Sequence, residues 1–90
     1  MDSQEDYKNL ITEIIRKQID ILGVDIAVRK ANGVSGLKVS DKGEVNSLSG
    51  DPQEILQELI SKYVALSGEI VKNILNPVFA KYPEIKLNLK

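Results

Sequence analysis

The side chains able to do chemistry in this 90-residue chain are Asp, Glu, Lys, Arg, Tyr, Ser and a single Thr, and there is no His and no Cys. The missing His removes the commonest metal ligand, the usual general base and the usual pH switch. The missing Cys removes disulfides and thiolate zinc sites. What remains is a set of spacings to weigh. Glu54 and Glu58 lie one helical turn apart, as do Glu13 and Lys17. Such pairs are ordinary on a solvated helix face, where each contributes a few tenths of a kcal/mol. Ser47, Ser49 and Gly50 resemble an anion-binding turn ahead of a helix. Yet no Gly-rich phosphate loop or spaced Lys accompanies them, and Asp51 would repel a phosphate. Asp41-Lys42-Gly43 lacks the run of acidic ligands that a calcium loop needs. The expectation is a protein with no catalytic residues, no metal and no cofactor.

Tyr63 and Tyr82 are the polar aromatics to place, because Tyr tolerates a wet edge while burying its ring. With Phe79 and the tail residues Ile85 and Leu87 they form the candidate interaction surface, although packing in the core is the first reading for the tyrosines.

These residues sit on a simple framework. From Asp51 to Leu75, apolar residues recur at Ile55, Leu56, Leu59, Ile60, Tyr63, Leu66, Ile70, Val71, Ile74 and Leu75, a continuous helical stripe. Asp51 reads as its N-cap, Pro52 as its first residue and Glu54 as the partner in a capping box. A first helix opens at Ser3, and its stripe is Tyr7, Leu10, Ile11, Ile14, Ile15, Ile19 and Leu22. That stripe faces the core or forms a seam with another subunit. Gly23 interrupts it, as a break or a kink, and a short helix runs to Asn32, where Gly33 can take a left-handed cap. Between the helical stretches the period becomes two, and Ser40-Asp41-Lys42-Gly43 supplies the turn of a hairpin pairing 36–40 with 43–48. Asn76-Pro77 kinks the last helix, and Pro83 ends it. The alternation of Ile85, Leu87 and Leu89 reads as a strand that joins the hairpin, frays, or adds to a neighbour's sheet; the first is expected.

The fold class expected is therefore α+β and mainly helical. Two helical halves, 4–32 and 52–82, each interrupted at a Gly, surround the hairpin at 36–48, with a third strand at 85–89. The whole chain makes one domain, with 1–3 and 84–90 at its fraying ends. The halves also align: Ile15 with Ile60, Lys17 with Lys62, Ile19 with Val64, Ile21 with Leu66 and Gly23 with Gly68. After a slip of one residue, Ile26, Asn32 and Val34 match Ile70, Asn76 and Val78. An internal repeat would let the two helices cross closely at the glycines.

Composition narrows the function. Eleven Ile, ten Leu and eight Val face only four aromatics, which leaves no flat surface for stacking on bases. Net charge is −1 and evenly mixed, with no basic stripe for nucleic acid. No apolar run approaches the roughly 20 residues of a membrane span, and the acidic start MDSQEDYK is unlike a signal peptide. A soluble, cytoplasmic protein is expected.

Four segments also carry a resemblance. They are Ile14–Gly23 (IIRKQIDILG), Lys38–Val45 (KVSDKGEV), Leu48–Pro52 (LSGDP) and Leu56–Gly68 (LQELISKYVALSG). In that order they resemble the small Nitrosopumilus output domains, helix-rich modules of archaeal signal-transduction proteins, over about residues 8–76. The resemblance implies a signalling output module without known catalysis and supplies no site residues. The function expected is protein interaction through helical surfaces, with a homodimer as the first partner. The alternative is a hydrophobic-ligand domain with its pocket between the halves.

Overall fold

The computed structural model describes residues 3–82. Its elements are α1 (Ser3–Leu22), α2 (Val24–Asn32), β1 (Leu37–Val39), β2 (Val45–Leu48), α3 (Pro52–Ser67) and α4 (Glu69–Phe79). The class is the expected one, mainly helical with a small antiparallel hairpin between the helical halves. The 85–89 strand and the Pro83 stop lie outside the described residues.

Helix boundaries follow local chemistry. α1 begins at Ser3 with Glu5 and Asp6 in its first turn, where acids favour the dipole. α3 opens as expected at Asp51, whose Oδ1 accepts the Gln53 N–H at 3.0 Å, with Pro52 in the first turn. Glu54 stays exposed at this helix start; the cap bond present is the one from Gln53 to Asp51.

Each half breaks at its glycine instead of kinking. Gly23 has φ 89° and ψ 155°, and Gly68 has φ 70° and ψ −143°. L side chains rarely adopt this backbone, so Gly is required. A Cβ at either position would meet nothing within 4 Å. The close helix crossing expected at the glycines is therefore absent, and it is φ that demands them. The broken axis also corrects the long stripe. Leu66 and Ile70 continue it in sequence, but they are 46% and 50% exposed, because the chain re-aims at Gly68.

α2 ends at Asn32, and Gly33 keeps a right-handed φ of −77° where a left-handed cap was expected. The Asn32 side chain accounts for the difference. Its Oδ1 accepts the Val39 N–H at 2.8 Å and its Nδ2 donates to the Val39 carbonyl at 3.2 Å. The chain leaves the helix tied to β1, without needing the reversal of a left-handed cap.

β1 and β2 pair as Leu37 with Leu48, Lys38 with Ser47 and Val39 with Val45, with a bulge at Asn46. Leu37, Val39 and Leu48 point into the core. The turn closes through Gly43 N–H to Ser40 O at 3.0 Å, and the Ser40 hydroxyl accepts from Lys42 and Glu44. The hairpin lies on α1. Thr12 Oγ1 accepts the Val45 N–H at 3.3 Å, Arg16 pairs with Glu44 at 3.2 Å, and a Cβ at Gly43 would strike Ile19. An isolated two-stranded hairpin is marginal, and these contacts supply its support.

The core joins both halves and the sheet. Leu10, Ile11, Ile14 and Ile15 of α1 meet Leu56, Leu59 and Tyr63 of α3, all with no exposed surface. Burying one such side chain contributes about 1.5–3 kcal/mol.

Candidate functional site

Of the five residues of the candidate interaction surface, three lie among the described residues, and one of these is in the core. Tyr63 is fully buried on α3, and its hydroxyl donates to the Ala27 carbonyl at 2.8 Å. Burial pushes its phenol well above the usual value, because the interior disfavours the phenolate. This tyrosine is a core strut between α3 and α2. Phe79, in the last turn of α4, is half-buried against the core. Tyr82 follows it, also half-buried, with its phenol raised first by burial and then by the neighbouring Glu13 carboxylate. Lys81 donates to Glu13 Oε1 at 2.9 Å, which ties the end of α4 to the middle of α1. Ile85 and Leu87 lie outside the described residues.

A different set is exposed. Among the described residues, the large hydrophobics open to solvent are Ile21, Val24, Ile26, Leu66 and Ile70, at 37–50% exposure. All five fall within three residues of Gly23 or Gly68. The reason is geometric. At each positive-φ glycine the chain turns from one helix to the next, and part of each adjoining turn faces out while Leu22 and Val71 face in. Ile21 and Leu66 precede the two glycines by the same two residues; Ile26 and Ile70 follow them at the slipped match.

Part of this was visible beforehand. Ile21 already falls off the α1 stripe, which is a signal of an outward apolar residue. Leu66 and Ile70 gave no such signal, since they sit in phase on an unbroken helix.

Around the first corner, Val24 and Val28 floor an open depression whose rim is Asp25, Arg29 and the hairpin residue Asp41. A second depression, on α1 beside β2, is rimmed by Glu5, Lys8, Arg16 and Glu44. The first carries two acids against one base, and in the second two acids face two bases. Among the described residues, no three acidic side chains converge where a metal ion could be held, and no helix is long and apolar enough to cross a membrane. The arrangement offers apolar contact and charged rims.

No protein-family model, no curated protein and no solved structure matches the chain.

Proposed function

We propose that this chain is a non-catalytic interaction module, a signalling output domain by its sequence resemblance, that binds protein through its two apolar corners. The observation that carries the proposal is the placement of every large exposed hydrophobic among the described residues beside Gly23 or Gly68. At these exposures the five side chains leave roughly 400 Å² of apolar surface in water, divided between the two corners, so each corner alone is smaller than the largest patch of a typical monomer. Solubility favours polar residues at such sites, so the cost points to a use. The first partner is a second copy. Both corners are built of branched aliphatics, so two copies can pack like against like. The area suits a reversible dimer, since obligate ones bury about 2,000 Å² or more in total.

The hydrophobic-ligand alternative is weaker, because the seam between the halves is filled by Leu10, Ile14, Leu56 and Leu59 with no exposed surface. Sedimentation equilibrium over about a hundredfold concentration range tests the proposal. A mass rising from monomer towards dimer is the expected result. A monomer throughout would remove the second copy as partner.

A further inference from the structure

Asn32 and Gly33 form the chain's single Asn-Gly pair. We propose that this pair is a modification site, a spontaneous deamidation that the fold holds back and that opens the edge of β1 once it has occurred. The chemistry is intramolecular. The Gly33 backbone nitrogen, after losing its proton to solvent base, attacks Asn32 Cγ; the Cγ–Nδ2 bond breaks and ammonia leaves. Water then opens the resulting succinimide at either carbonyl, giving Asp or its β-linked isomer. Gly is the least hindered following residue, having no Cβ to block the approach.

Three features of the fold oppose this step. The Gly33 N–H donates to the Arg29 and Lys30 carbonyls at 3.2 and 3.1 Å, which engages the attacking atom. The Asn32 amide is fixed by its two bonds to Val39. The helical backbone of α2 at Asn32 holds Cγ away from the next nitrogen. Attack therefore needs the last turn of α2 to open and β1 to let go together.

The same two bonds give the product its consequence. Gly36 O and Ser40 N bond towards the β2 side, to Ser49 and Glu44. By strand alternation the N–H and C=O of Val39 face away from β2, so Asn32 closes the Val39 end of the outer edge of β1, while the Val34 carbonyl holds the Leu37 N–H at 3.2 Å. A carboxylate at position 32 can still accept from the Val39 N–H. It cannot donate to the Val39 carbonyl, and it sets a negative charge against that oxygen. Deamidation thus loosens the latch and frees an edge able to pair with another strand.

The test incubates the intact chain at mildly alkaline pH, folded and in denaturant, and follows residue 32 by peptide mass spectrometry. Asn46, which precedes Ser47, serves as an internal comparison. Conversion at Asn32 should lead in denaturant and be slower by about tenfold or more in the folded chain, as the rarity of local opening requires. Gly33→Ala should slow conversion in denaturant, and Asn32→Asp should lower the midpoint of denaturant melts. Equal rates folded and unfolded, no effect of Gly33→Ala, or an unchanged melt for Asn32→Asp would each overturn the proposal.

Discussion

The two helical halves bury equivalent positions with different chemistry. Leu10, Ile11, Ile14 and Ile15 stand opposite Ile55, Leu56, Leu59 and Ile60 in the alignment, and all eight are buried. Beyond the glycines, Ala27, Ala31 and Val34 stand opposite Val71, Leu75 and Val78, again all buried. The divergence is at Gln18 and Tyr63, equivalent and fully buried. Tyr63 is large, it reaches Ala27 O, and α2 buries only alanines. Gln18 is smaller, and the half that carries Tyr63 supplies Val71 and Leu75 on its short helix. Tyr63 thus meets a short helix whose buried residues are alanines, whereas the equivalent short helix α4 buries Val71, Leu75 and Val78. Polar satisfaction is not conserved, since neither amide atom of Gln18 has a partner among the described residues.

Four predictions break or sharpen this comparison. Ile14→Ala and its equivalent Leu59→Ala should each cost about 2–5 kcal/mol in denaturant melts, as buried truncations do. A change under half a kcal/mol at either site would remove that half from the shared core. Next, Gly23→Ala and Gly68→Ala should each cost about 1–3 kcal/mol, from backbone strain alone, because the space around both is open. Unequal costs would mean that only one corner is fixed by its φ.

Tyr63→Phe should cost about 1–2 kcal/mol, since the Ala27 carbonyl then loses the hydroxyl that donates to it. It should also change the alkaline limb of stability. The folded pKa of Tyr63 lies above its unfolded value, so its contribution is complete below about pH 10 and is lost as pH rises beyond it. Tyr7, Lys81 and Tyr82 are raised as well, so Tyr63→Phe should flatten the alkaline fall without abolishing it. Melts at stepped alkaline pH check the sign. The smallest effect is a gain. Gln18→Met should stabilise by about 1 kcal/mol, because an unpartnered buried amide is replaced by an apolar chain of similar shape. A loss instead would show that the Gln18 amide is satisfied in solution.

The architecture was legible because its signals are local. Periodicity placed the helical halves, Asp51-Pro52 placed the start of α3, and Ser40–Gly43 placed the turn. Gly23 and Gly68, matched in the alignment, marked the point where each half breaks. The surface was not legible. A stripe is read on one axis, and the positive φ at Gly68 changes that axis, so Leu66 and Ile70 passed for core. Core packing, the first reading for Tyr63, holds, but the acceptor of its hydroxyl, Ala27 O, is 36 residues away in the chain and left no local sign. The Asn32 latch was hidden likewise, since a side chain pairing with a strand leaves no periodic trace.

The most direct test of the account compares sedimentation equilibrium of the native chain with that of Ile26→Lys and Ile70→Lys, one charge at each corner. Ser35→Lys, on an exposed loop residue, is the control. The account predicts native and control chains that dimerise with concentration, and corner variants that stay monomeric with melts unchanged within about 0.5 kcal/mol. Corner variants that associate as well as the native chain would contradict it.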